Sequence, residues 1–197
     1  MMHLAIFSSG AGSNAARIIE HFRLHPSIRV SLIVCNNPGA GVLAIAAKEK
    51  IPVLLVEKEK FFRGSAYAAE LREWKIDFIV LAGFLWKIPA ALVQAYPRRI
   101  VNLHPALLPK YGGKGMYGRH VHSAVINAGE KESGITIHYV DELYDHGQSI
   151  FQARVAVTAG DTPETLAAKV QQLEHTHFPR VIEDVVLSVQ PNLSNHR

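Results

Sequence analysis

Runs of consecutive apolar residues alternate along this chain with stretches where apolar positions return every three or four residues. The first kind reads as strand buried on both faces, the second as amphipathic helix. Residues 3–8 (HLAIFS) form a first strand that breaks into the glycine-rich SSGAGSN. A helix follows from Ser13, with Ile18, Ile19 and Phe22 as its buried stripe. Residues 28–34 are a second strand, the turn cluster 36–41 introduces a helix over 42–50, and 51–56 is a third strand. An exposed, mixed-charge segment, 57–64, leads into a helix reaching about Lys75, and 77–82 (DFIVLA) is again almost wholly apolar. Strand and helix in such alternation predict a doubly wound, mostly parallel, Rossmann-like α/β sheet with right-handed crossovers.

The second half is patterned differently. Residues 100–104 (IVNLH) are a strand whose apolar side chains are interrupted at Asn102 and His104, two apart and therefore on one face. Pro105 removes the next ladder donor, so the chain leaves the sheet there into a long loop over 105–118. His120 and His122 continue that loop into a helix through Ala128. Residues 134–140 (GITIHYV) alternate, with one drier face, and 149–157 form an antiparallel partner at the C-terminal end of the sheet. Thr158 to Glu164 is a strong helix start, with a capping residue, proline in the first turn and acids beside it. That helix turns Leu166, Val170 and Leu173 inward and is expected to end near Glu174 and His175. A separate amphipathic helix is expected over 179–189. Residues 1–189 read as one domain and 190–197 as a frayed tail.

Composition narrows the function classes. The length of 197 residues buries a real core without staples, and 48% hydrophobic with 19% charged residues describes an ordinary globule. The net charge of +4 suits a small anionic substrate, but the lysines and arginines form no run that would suit nucleic acid. One cysteine, Cys35, excludes an internal disulfide and a multi-thiol metal centre. No apolar stretch approaches the ~20 residues of a membrane span, and the N-terminus lacks a basic signal region. The chain therefore reads as cytoplasmic, with no membrane or nucleic-acid partner; monomer and homodimer both stay open.

Two stretches carry chemistry. After the first strand, residues 10–15 (GAGSNA) match the dinucleotide fingerprint G-x-G-x-x-A, but the second strand ends in Cys35-Asn36-Asn37 and the acidic ribose ligand is absent. A glycine turn feeding a helix N-terminus still binds a single phosphate, because free N–H groups and the positive dipole end face one spot. The other stretch is Asn102-x-His104, an amide donor and a titratable ring at the mouth of a parallel strand. The pairs His120-x-His122 and His175-x-His177 do not read as metal sites: residues two apart on a helix do not share a face, and no carboxylate or cysteine completes them.

The run N-L-H-P-A-L-L-P-K-Y-G-G resembles the N-x-H-P-S-L-L-P core of the folate-dependent formyltransferases, and the similarity extends over most of the chain. The resemblance implies formyl transfer from 10-formyltetrahydrofolate to the amine of phosphoribosylglycinamide in purine synthesis, with no metal. It implies catalytic roles for Asn102, His104 and Asp145, with Asp141 as the fallback because Tyr144 looks inserted in the acidic loop. Gly12, Ser13 and Asn14 would hold the substrate phosphate and Glu174 its glycinamide end. Leu85, Trp86, Lys87 and Ile88 would hold the pterin, with Trp86, where an arginine is common in relatives, either packing or stacking on ligand. Arg63, which stands at a shifted spacing before Tyr67, would join them in the folate site. Protonated His104, its pKa raised by Asp145, is expected to join Asn102 at the developing oxyanion. Three alternatives share features: a formyltetrahydrofolate hydrolase, expected to carry an extra N-terminal domain; a tRNA-directed formyltransferase, expected to carry a C-terminal one; and a non-enzymatic nucleotide-binding module, which would need only the glycine loop.

Overall fold

The structure, a computed structural model, describes residues 1–63 and 66–189; Gly64 of the 57–64 segment and the expected tail 190–197 lie outside the described residues. Seven strands form one sheet in the order β3-β2-β1-β4-β5-β6-β7. These are β1 (Met2–Phe7), β2 (Ile28–Cys35), β3 (Val53–Leu55), β4 (Phe78–Leu81), β5 (Ile100–His104), β6 (Glu132–Tyr139) and β7 (Ser149–Ala156). The first five are mutually parallel, and β6 runs antiparallel to both β5 and β7. The doubly wound, mostly parallel sheet with an antiparallel C-terminal part is thus observed.

Alternation along the strands sorts side chains into two cores. Leu4, Ile6, Val80, Val101 and Leu103 meet α1 (Ser13–Phe22), α2 (Val42–Lys48), α6 (Arg119–Asn127) and α7 (Pro163–Ser188) on one face. Ala5, Phe7, Ile79, Leu81 and Ile100 meet α3 (Lys58–Phe62), α4 (Ala66–Glu73) and α5 (Ala90–Ala95) on the other. Ile28 and Val30 face the first core, yet so do Ile33 and Cys35. A register shift opposite Leu4 and Ala5, around Ser31, changes the parity of β2 in mid-strand.

Three expectations need correction. The 57–64 segment is not simply exposed: it contains α3, because Phe61 is drawn into the second core against Tyr67, Phe84 and Trp86 while its charged neighbours stay in water. Helix α5 follows Pro89, where the sequence reading placed none; Leu92 is its buried residue. The two C-terminal helices are one helix, α7, running straight through Pro179. An interior proline costs about 3 kcal/mol. Phe178, Val181, Ile182, Val185 and Val186 are all buried around it, at ~1.5–3 kcal/mol each, and so the helix continues.

Candidate active site

The strand order reverses between β1 and β4, and a crevice opens outside their carboxyl ends, as in open α/β sheets generally. The Ser9 hydroxyl accepts the Leu85 N–H at 2.9 Å, and the Ser9 N–H donates to the Gly83 carbonyl at 3.0 Å, fixing the two strand exits to each other. A cleft of about 390 Å³ runs from there past the end of β5.

At its centre, Asn102 and His104 follow Ile100 on one side of β5. The antiparallel register sets His138 opposite Asn102 and Thr136 opposite His104. Asp145 arrives from the β6–β7 loop with a left-handed backbone (φ 53°). Its Oδ1 lies 3.4 Å from Asn102 Nδ2 and 3.6 Å from His138 Nε2. Its Oδ2 lies 3.5 Å from His104 Nδ1 and accepts the Gly113 N–H at 2.9 Å. The amide, the imidazole and the carboxylate expected from sequence are therefore brought together. Asp141 instead accepts the Leu143 N–H and pairs with His146, on the rim.

Two main-chain carbonyls set the ring tautomers. His104 Nε2 donates to Tyr111 O at 2.7 Å and His138 Nδ1 to Tyr139 O at 2.8 Å. His138 Nε2 is left as an acceptor for the Asn102 amide at 3.1 Å. His104 Nδ1 is left as an acceptor facing a carboxylate oxygen, itself an acceptor. Nothing donates between them; the pair is arranged to receive a proton.

One end of the cleft is the start of α1. Gly12 takes φ +80°, and a Cβ there would lie 2.8 Å from that of Val42, so only glycine fits. The first backward bond of the helix is from Ala16 N–H to Gly12 O, leaving the N–H groups of Ser13, Asn14 and Ala15 unspent by the helix itself. Asn14 lines the cleft and donates to Glu174 Oε2 at 2.7 Å, while its buried Oδ1 has no partner. Gly12 and Ser13 lie behind that lining; the Ser13 hydroxyl accepts from Gln171 at 3.3 Å. At the other end, Leu85, Trp86, Lys87 and Ile88 face Val140, Leu143 and Tyr144. Leu85, Leu143 and Tyr144 are 52%, 59% and 43% exposed, an apolar slot that no side chain among the described residues fills.

The model of the formyl transferase family matches residues 2–182. This chain belongs to the formyl transferase family. It is 45% identical over 186 residues to a chloroplastic phosphoribosylglycinamide formyltransferase of Arabidopsis thaliana, an alignment covering 91% of this chain and 63% of that one. It is 34% identical over 191 residues to the phosphoribosylglycinamide formyltransferase of Bacillus subtilis, covering 94% of this chain and 95% of the relative. The crystal structure of a phosphoribosylglycinamide formyltransferase from Bacillus halodurans superposes with a TM-score of 0.86 at 36% identity, covering 97% and 98% of the two chains. This chain thus spans less than two-thirds of the plant relative's length and nearly all of the bacterial ones.

The electrostatics of the cleft depart from expectation at His104. Burial lowers its pKa below the usual histidine value, outweighing the Asp145 carboxylate and the Tyr111 carbonyl, which pull the other way; the ground-state ring is neutral. Asp145 is pushed up by burial, but His138, His104 and the Gly113 N–H outweigh that and hold it below the usual range, ionised at neutral pH. Burial raises Glu174, moderated by the Asn14 amide. Arg63 is not brought to the cleft: its side chain is 78% exposed beside Glu59. Trp86 packs on Phe61 and Phe62, with centroids 5.6 and 5.7 Å away, and also lines the cleft.

Two histidines at the cleft are not legible as such in the sequence. His138 was legible only as a polar residue in the alternation of 134–140. His122 was weighed as a metal ligand, yet it is buried, lines the cleft, and leaves Nδ1 without a partner. Among the described residues no group of His, Cys, Asp and Glu could hold a metal ion, and no helix is long and apolar enough to cross a membrane.

Proposed function

We propose that this chain transfers the formyl group of 10-formyltetrahydrofolate to the amine of phosphoribosylglycinamide, a step of purine synthesis. The observation that carries the reading is the meeting of Asn102, His104 and Asp145 midway between an anion-binding helix start and an unfilled apolar slot. The slot between residues 85–88 and 140–144 has the walls a flat pterin needs. Bound there, the folate supplies the formyl carbon and the nitrogen that leaves it. The phosphate sits on the free N–H groups at the start of α1, by the turn of Gly12, Ser13 and Asn14, and Glu174 holds the glycinamide end.

Neutral His104 takes the proton of the substrate ammonium on Nδ1, and the resulting imidazolium is stabilised by Asp145 Oδ2. The amine nitrogen bonds to the formyl carbon and negative charge gathers on the formyl oxygen. Asn102 meets that oxygen by giving up its long contact to Asp145 Oδ1 while His138 keeps the amide oriented. The bond from the formyl carbon to the folate nitrogen then breaks, that nitrogen takes the proton held by His104, and the former amine nitrogen releases its second proton to solvent, leaving the neutral formamide. The work is done by a single domain, residues 1–189, in the cytoplasm, on two small molecules.

The test is ultraviolet monitoring of folate deformylation with and without phosphoribosylglycinamide. Turnover that requires the acceptor bears the proposal out. Equal turnover without it makes the protein a hydrolase, and no turnover in either case leaves a binding module.

A further inference from the structure

We propose that Gln152, on edge strand β7, is a positioning residue for His104, acting through Thr136 and the loop that carries Tyr111. The loop begins at His104 and returns seven residues later to offer that same ring its hydrogen-bond acceptor, the Tyr111 carbonyl at 2.7 Å. What lies between decides whether the two ends stay in register. The register places His104, Thr136 and Gln152 in one row across β5, β6 and β7.

Thr136 is fully buried, and its hydroxyl is saturated. It donates to Ala106 O at 2.7 Å and accepts the Leu108 N–H at 3.0 Å and the Gln152 Nε2–H at 2.9 Å. The second hydrogen of Gln152 Nε2 goes to Leu108 O at 3.0 Å. Both main-chain polar groups of Leu108, and the carbonyl of Ala106, are thus held by one hydroxyl and one amide. With every donor and acceptor of the Thr136 hydroxyl used, removing either partner leaves buried polar groups unmatched. The loop would then settle elsewhere and carry Tyr111 O away from His104. Neither Gln152 nor Thr136 lines the cleft, so neither touches substrate. Their effect reaches the reaction only through the orientation and tautomer of the imidazole.

The inference rests on the reading of His104 as the base, and the experiment separates the two. Q152M keeps the side chain's length and removes both donors; T136V keeps the shape and removes the hydroxyl; T136S keeps the hydroxyl. Formyl transfer is measured alongside long-range nitrogen–proton NMR of the histidine rings in the ligand-free protein, which reads the His104 tautomer whatever the reaction is. Q152M and T136V are expected to lower kcat by about 10²-fold, the scale of an ångström's misplacement of a catalytic group. The KM of both substrates should stay within about three-fold, the His104 Nε2–H tautomer should give way to a mixture, and T136S should recover most of the T136V loss. A Q152M protein with unchanged kcat overturns the proposal. So does one whose melting temperature or KM moves while the His104 signals stay those of the parent. An H104A protein with full activity would instead remove the proposed catalytic role and leave the tautomer result standing.

Discussion

At the scale of single residues, the site turns on a neutral histidine facing an ionised aspartate. Because burial lowers the His104 pKa and the proposed mechanism uses the neutral ring as base, kcat/KM should be flat through neutrality. It should fall only as pH drops through the lowered value, so the acid limb lies below the usual histidine value of 6.5. A limb above 6.5 would mean that Asp145 dominates over burial. Replacing His104 or Asn102 by alanine should lower kcat by roughly 10²–10⁴-fold with folding nearly intact, checked by steady-state kinetics beside circular dichroism. H138A should cost turnover as well, about 10-fold or more, since the Asn102 amide loses the acceptor that orients it. Asn102 and His104 were legible in sequence because a strand's period of two and one proline place them at its end on one face. His138 was not: its partnership with Asn102 exists only through the β5–β6 register, which no local pattern encodes. The protonation state of His104 was misjudged for a related reason, since burial is a property of everything packed around the ring.

Helices and strands show the same division. The start of α7 follows from local chemistry: Thr162 and Thr165 form a reciprocal capping box ahead of Pro163 and Glu164. Asp161 adds to it, its carboxyl held well below the usual range by Lys169 and by Thr158 and Thr165. T162A should therefore cost about 1 kcal/mol, a drop of roughly 2–4 °C in melting temperature for a chain of this size; an unchanged melting curve would show the cap to be idle. The end of the same helix was not legible, because Pro179 argues locally for a break and only the buried residues around it argue against. Helix α3 was missed on similar grounds: in a segment rich in charge, Phe61 counts for little until the aromatic cluster of Tyr67, Phe84 and Trp86 is there to receive it.

For the whole molecule, stability should grade outward from the middle of the sheet. Strands β1 and β4 are central, covered on both faces and paired on both edges, whereas β3 and β7 are edges with partly exposed residues. Amide exchange should be slowest in β1 and β4 and fastest in β3 and β7; protection in β7 exceeding that in β1 would contradict this ordering. The chain's own residue pattern determined the alternating units, the glycine turn that starts the first helix, and the strand end that presents an amide and an imidazole. These are set by interactions within a few residues, namely side-chain period, backbone restriction by glycine and proline, and caps. The tertiary structure alone decided that His138 and Asp145 close on that strand end, that His104 is neutral, that Arg63 stays in solvent, and that a buried threonine and an edge-strand glutamine bond to the loop between His104 and Tyr111. Each of those depends on groups far apart in the chain meeting at fixed distance in a dry environment, and neither spacing nor composition contains that distance.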